Sequence, residues 1–442
     1  MKRTYKHLVK IVILTGFLFP FSIMAQALLN KEKVKSLMTE YNVPAVGVGI
    51  IEDNEIKVTV FGELKQGLPA PENTIFSVAS LTKPVFTMFV LKLVEEGELH
   101  LNEPLSKYWV DPEIKNHPYS RKLNTRHILS HQSGFSNWRR QNKDGKLAFN
   151  FEPGTGYQYS GEGFEYLRIA LESKFKRPIT EMIDAYLFSP IKMKASRLHW
   201  DEEMEGAPFA FWHDANGRLM EPSQPQIRNI GAASSLITTV EDFCKLSQYT
   251  MKKANSSDSL YHEMSSIIAL IKADYGKGLG WEVVKNLPDD EYALTHTGWN
   301  PGVKTMALLL PKSKRGLIVF TNGNNGYKIY NSLVQDIFDV GPLVLKKMAG
   351  VLDRELITLK ASAIEKYSGQ FLDSYGRKLI VTPIENGIEV AGDGVPTNNF
   401  YPISADVFVL KDFDVNFEFS SIDSFKIVVD GKVDCTAERI KR

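Results

Sequence analysis

The stretch IFSVASLTKPVFTMFVLKLVEEG, residues 75–97, decides the reading of this chain. From Leu81 to Val94 most positions are apolar, a run too long for a strand, which predicts a helix buried on most sides and ended by Glu95, Glu96 and Gly97. Pro84 has no amide hydrogen and fits only the opening turn, so the helix starts at about Ser80 or Leu81. The Ser80 N–H then has no intrahelical partner and sits at the positive end of the helix dipole, a setting for an oxyanion. Ser80, Lys83 and Thr87 form a narrow polar stripe on this apolar helix. A lysine in such surroundings must find a partner or lose its proton.

The residues alone leave Ser80 two readings. One is the nucleophile of an S-x-x-K pair, with Lys83 one turn away to help remove its proton. The other is an N-capping serine beside a lysine that snorkels to solvent. The spacing recurs at Ser173 to Lys176 and Ser189 to Lys192, so it is the apolar context that singles out Ser80.

Around this stretch the chain is ordinary in composition: 442 residues, formal charge +1 and 43% apolar content, enough for a large core and more than one domain. A near-neutral balance leaves no electrostatic footprint for nucleic acid. Residues 1–27 carry Lys2, Arg3, Lys6 and Lys10, an apolar run from Ile11 to Met24 and the small-x-small Ala25-Gln26-Ala27, the pattern of a secretory signal peptide. An uncleaved anchor is the alternative, although the run falls short of the ~20 residues a span needs. The expected product is an exported soluble protein, secreted or periplasmic, with no stable membrane span after cleavage. Cys244 and Cys435 are too few for a disulfide framework or a cysteine-ligated metal site, and Cys244 reads as a buried helical thiol.

In chain order, Asn30 to Tyr41 reads as a helix and VGVGIIEDNEIKVTVFGEL, residues 46–64, as a hairpin; residues 66–79 read as loop. His127 and His131 stand four apart on a segment that reads as helical, where packing is favoured over zinc ligation because the Glu of H-E-x-x-H is missing. FEPGTGYQYSGEGFEYLRIALE, residues 151–172, gives a tight turn, a short extended piece with Tyr157 and Tyr159, and a helix. Residues 180–230 are loop-rich, and the 200–230 part is expected to shape the substrate pocket. GAASSLITTVEDFCKL, residues 231–246, is a small-residue segment that could pass near the cleft, then a helix starting at Thr239. Three strand-like segments follow, with His296-Thr297-Gly298 at a strand end, and then helical patterns over Tyr330 to Leu352. From about Leu356 the texture changes to about seven short strands, a separate all-β domain.

SLTK at 80–83, YSG at 159–161 and HTG at 296–298, with TRHILSHQSG, FEPGTGYQYS and TNG, together resemble the serine hydrolases related to class C β-lactamases and D-Ala-D-Ala carboxypeptidases. The resemblance covers roughly residues 30–340, and the C-terminal part looks like the lipocalin-like β-barrel that follows this domain in many relatives. It implies an α+β fold: a β-lactamase/transpeptidase-like domain over 28–350, whose central antiparallel sheet is made from the first hairpin and the last strands around a helical insertion, and a small barrel over 351–442. Ser80 would be the acylated nucleophile. Lys83 would keep Tyr159 partly phenolate, and one of the two would take the Ser80 proton. The backbone N–H groups of Ser80 and Trp299 would form the oxyanion hole, and His296, Thr297 and Gly298 would line the strand along which substrate lies.

Two departures narrow the expectation. Gly161 stands where many relatives carry Asn, and His296 where penicillin-recognising members carry Lys, so carboxylate anchoring is expected to be weak. The resulting expectation is a hydrolase that needs no cofactor or metal, acts on small-molecule or peptide esters and amides, and has at most weak β-lactamase activity; a homo-oligomer through the C-terminal domain is possible in this picture. A non-catalytic binding protein retaining the hydrolase shell and a D-Ala-D-Ala carboxypeptidase of the cell wall are the competing readings.

Overall fold

The computed structural model describes residues 29–442 apart from 225–229, 350–354, 393–394, 411–414, 430–431 and 441–442. The expected signal peptide and the boundary near residue 350 lie outside the described residues. No helix among the described residues is long and apolar enough to cross a membrane.

Nine antiparallel strands form the central sheet, in the spatial order Leu68–Pro69, Glu55–Lys65, Ala45–Glu52, Arg315–Thr321, Val303–Leu310, Ala293–Asn300, Glu282–Val284, Tyr275–Lys277 and Ala269–Lys272. The first hairpin turns at Asp53-Asn54, both in the left-handed region that such a two-residue turn demands. Its inner strand pairs with Arg315–Thr321, in the register Val46 opposite Thr321, so the first and last parts of the domain share the middle of the sheet, as the resemblance implied.

Helices cover both faces. Lys31–Tyr41, capped by Asn30, and Gly326–Ile337 and Gly341–Ala349 pack on one face with Val46, Met306 and Val319. Thr82–Glu95 and Val240–Ala254, the latter capped by the Thr239 hydroxyl, pack on the other with Ala307, Leu309 and Phe320. Eleven of the fourteen residues of Thr82–Glu95 are buried, as a helix apolar all round must be. Thr87 is buried too, against Gly280, so the polar stripe is only Ser80 and Lys83 where it meets the cleft.

Residues 66–79 are not wholly loop. Ile75–Ser77 pairs with Ile237–Thr239 in a two-stranded sheet, a long-range pairing that three residues cannot announce. The C-terminal strands close into a barrel of eight, one more than the sequence reading counted; Val407–Leu410 is a four-residue strand that alternation alone does not isolate. Phe371, Phe408, Phe419 and Phe425 fill part of its interior, and Tyr327 of the catalytic domain donates to Asn398 Oδ1 on the barrel at 2.6 Å.

Candidate active site

Ser80 lies in a tight 3-10 turn, Ala79–Leu81, that feeds directly into the helix Thr82–Glu95. Ala79 takes a φ of 48°, a conformation that costs a residue with a β-carbon of order 1 kcal/mol and that persists only where neighbours enforce it. They do so through Val78, whose carbonyl accepts from Thr305 Oγ1 at 2.9 Å. The backbone of Gly298 lies against the same carbonyl, where a β-carbon would stand 2.1 Å from the oxygen. The turn that carries Ser80 is thereby docked onto the strands Ala293–Asn300 and Val303–Leu310, and only glycine fits at 298.

Lys83, 1% exposed, places Nζ 3.1 Å from Ser80 Oγ and donates to the Ala233 carbonyl at 2.9 Å. The small-residue segment thus reaches the cleft, held there by Glu165 Oε1, which accepts from the N–H groups of Ala232 and Ala233. Burial, then the nearby Lys277 cation, bring the Lys83 ammonium down to about 7, against the pull of the Glu165 carboxylate.

Tyr159 faces the same cavity as Ser80, and its ring stacks on His131 with centroids 4.3 Å apart. Here the structure reverses an expectation. Burial raises the Tyr159 phenol above its ordinary value, even though the Ser80 contact opposes this, and the Glu282 carboxylate pushes the same way. Lys83 Nζ lies over the ring face, 4.8 Å from its centre. Tyr159 therefore keeps its phenolic proton, whereas Lys83 holds its proton more loosely than an ordinary lysine.

His131 follows the short helix Thr125–Leu129 and has a φ of 57°, so it is not one helical turn from His127 on a common face. Its Nδ1 accepts from Ser160 N at 3.0 Å and its carbonyl accepts from Gln158 N at 3.0 Å, gripping the segment that carries Tyr159 from both sides. Burial, Lys277, Lys83 and His296 keep its ring neutral.

His296 is 2% exposed and its Nδ1 lies 2.8 Å from the Thr297 carbonyl, which only an N–H can satisfy. That tautomer leaves Nε2 an acceptor, and it has no hydrogen-bond partner. Burial, with Lys277 adding to it, depresses the imidazolium to about 3. Beyond Thr295 the strand Ala293–Asn300 has no partner on its outer side among the described residues, since Glu282–Val284 pairs only with 293–295. The hairpin from this strand closes through Pro301-Gly302, with Asn300 opposite Val303 as the hydrogen-bonded pair. By alternation, Thr297 and Trp299 present their N–H groups to that outer side.

Three residues at the site escaped the sequence reading. Lys277, 2% exposed, donates to Glu282 Oε1 at 2.6 Å and lies 5.1 Å from the Tyr159 ring centre. Burial opposes Glu282 ionisation, but Lys277 outweighs it and holds the carboxyl below its ordinary value. Asn137 is the third. Its Oδ1 accepts from Gly161 N at 2.8 Å, and a β-carbon at 161 would stand 2.9 Å from the Trp138 ring. A side-chain amide thus borders the cleft from a loop other than the one that carries Gly161.

Ser80, Asn137, Tyr159, Glu282, His296 and Thr297 line one cavity of about 520 Å³, whose other walls come from Trp299, Met306 and neighbouring residues of the same domain and from the barrel. The described residues of 200–230 do not border it, so the expectation that they shape the pocket is not met; the barrel occupies that role. No cluster of metal-ligating side chains occurs among the described residues.

The β-lactamase family model matches residues 30–340. Penicillin-binding protein 4* of Bacillus subtilis (strain 168) is 22% identical over 416 residues, covering 84% of this chain and 89% of its own. Protein flp of Staphylococcus aureus (strain MW2) is 22% identical over 359 residues, covering 75% of this chain and 67% of its own. Among solved structures, the octameric penicillin-binding protein homologue from Pyrococcus abyssi superposes with a TM-score of 0.63 at 20% identity, over 93% of this chain and all of that one. D-alanine carboxypeptidase AmpC from Burkholderia cenocepacia gives 0.58 at 17% identity, over 72% of this chain and 98% of its own.

Proposed function

Because this chain belongs to the β-lactamase family, whose members are generally serine hydrolases, we propose that it hydrolyses esters, amides or D-amino-acid peptides through an acyl-enzyme on Ser80. The observation that carries this is the contact of Lys83 Nζ with Ser80 Oγ at 3.1 Å inside a buried site where the lysine loses its proton near neutrality. In the step that follows, the Lys83 amine takes the Ser80 proton as Oγ attacks the carbonyl carbon. The N–H groups of Ser80 and Trp299 receive the oxyanion, an arrangement typically worth a few kcal/mol of barrier. The tetrahedral intermediate collapses as the Tyr159 phenol protonates the leaving group and recovers a proton from the Lys83 ammonium. Water then repeats the sequence on the acyl-enzyme.

His296 supports the same reading of specificity as the sequence. A neutral ring with an acceptor at Nε2 suits an N–H or O–H donor on the substrate and gives a carboxylate no cation. Lys277 is close, but its charge is matched by Glu282. Weak β-lactamase and carboxypeptidase activity follows. A fluorophosphonate probe should label the wild type and not Ser80→Ala; equal labelling of the two would sink the reading. Turnover of a short ester, a D-amino-acid amide, a D-Ala-D-Ala peptide and a cephalosporin ranks the substrates, with the cephalosporin expected last. Export through residues 1–27 predicts a mature chain beginning near residue 28. The octameric Pyrococcus homologue makes light scattering the measurement for assembly through the barrel.

A further inference from the structure

The cavity that contains Ser80 does not end at the catalytic domain. It continues into the open part of the barrel, where Val390, Phe400, Leu410, Phe417, Ile427 and Val429 line it. Of the barrel residues that border it, Asn398 is held by Tyr327, and the two ionisable groups, Arg377 and Asp434, attract each other, Arg377 being also paired with Asp373. A volume of about 520 Å³ is that of a small-molecule site, and a lumen walled by aliphatic and aromatic side chains offers water few partners.

The route into the lumen fixes which part of a substrate enters it. Trp299 and Met306 border the path and pack on the sheet face that carries Gly326–Ile337. Ala307, next to Met306, packs on the opposite face with the nucleophile helix. Tyr159, which in the proposed mechanism gives the leaving group its proton, lines the cavity on the nucleophile's side with Ser80. The group that crosses to the barrel is therefore the one attached on the acyl side of the scissile carbonyl.

We infer that the barrel lumen is an acyl-chain subsite, and that the enzyme's substrates carry an extended apolar acyl group of medium length. This rests on the hydrolase reading above. Each methylene moved from water into such a lumen contributes up to about fourfold in binding. Nitrophenyl esters from acetyl to decanoyl should therefore show kcat/KM rising about two- to fourfold per methylene, then levelling once the lumen is full. Val415→Trp, which fills the lumen, should shorten the preferred chain and leave acetyl ester turnover unchanged. Leu410→Ala should lengthen it. Acetyl turnover also reports that each variant is folded.

A wild-type rate that is flat or falls with chain length while remaining Ser80-dependent overturns the acyl subsite and leaves the hydrolase reading standing. Loss of turnover on every chain length in Val415→Trp, with an unchanged melting temperature, overturns it as well. If no ester is hydrolysed and Ser80 is not labelled, the hydrolase reading fails; decanoate binding to Ser80→Ala, measured by calorimetry and abolished by Val415→Trp, then tests the lumen on its own.

Discussion

Lys277→Met tests what sets the proton affinity of the base. The ammonium groups of Lys83 and Lys277 lie 4.8 and 5.1 Å from the centre of the same tyrosine ring, so they stand within about 10 Å of each other. At an effective dielectric of ~20, two such charges repel by at least roughly 1.7 kcal/mol, a little over one pKa unit. Removing Lys277 also strips Glu282 of its partner. If that carboxylate stays ionised it attracts the Lys83 proton further, and if it protonates it exerts no opposing effect, so both routes move Lys83 upward from about 7. The acid limb of kcat/KM on an acetyl ester, which reports groups of the unliganded enzyme, should shift to about 8 or above. Breaking a buried ion pair costs about 3–5 kcal/mol, so Lys277→Met with Glu282→Gln serves as the companion: it keeps the local charge balance and should shift the limb less than the single change. A folded Lys277→Met whose acid limb stays at the wild-type position refutes the coupling.

Lys83→Met should abolish acylation yet stabilise the fold. The folded-state lysine sits near 7, below its ordinary 10.5, so the unfolded chain binds the proton more tightly between those values and stability rises with pH across that window. At pH 6, where the cost of the buried charge is nearly fully present, urea unfolding should show the variant more stable by up to about 5 kcal/mol, the gap closing toward pH 10. Gly161→Asn, which restores the residue of many relatives, should lower stability by about 1–3 kcal/mol through its clash with Trp138, without raising cephalosporin turnover; a gain in that turnover would contradict the place given to Asn137. Ala79→Gly should raise the melting temperature by relieving the left-handed backbone while lowering kcat on the acetyl ester, because the serine is held less firmly. His131→Phe should keep the stack on Tyr159 but leave Ser160 N without its acceptor, lowering kcat more than it raises KM.

The elements that announce themselves by periodicity were readable: the apolar helix, the hairpin at Asp53-Asn54, the first helix up to Tyr41 and the helix start at Thr239. Ser80, Lys83, Tyr159 and His296 were readable as motifs, each on a different element. What escaped was produced by juxtaposition. Lys277 sits in YGKGLG, where a lysine on a three-residue strand looks like any solvated charge until Glu282 on the next strand buries it. Asn137 looked like part of a loop, and only the missing β-carbon at Gly161 gives it room. Burial of Lys83 already pointed to a loosened proton in the sequence, which left open whether Lys83 or Tyr159 is the base; the partly phenolate Tyr159 was expected because the desolvation of its ring depends on the fold around it.

The pairing at the centre of the sheet bears on how the molecule comes into being. Ala45 N donates to Asn322 Oδ1 across 277 residues, and the strands beside them join the same distant parts of the chain. Closing so long a loop must precede most of the reward for it, which makes assembly slow. Until Arg315–Thr321 has emerged from the ribosome, Ala45–Glu52 has no inner neighbour and the strands that grip Val78 are incomplete. A nascent chain is therefore chemically silent over most of its synthesis, and it stays open to chaperones or a translocation channel for the same interval.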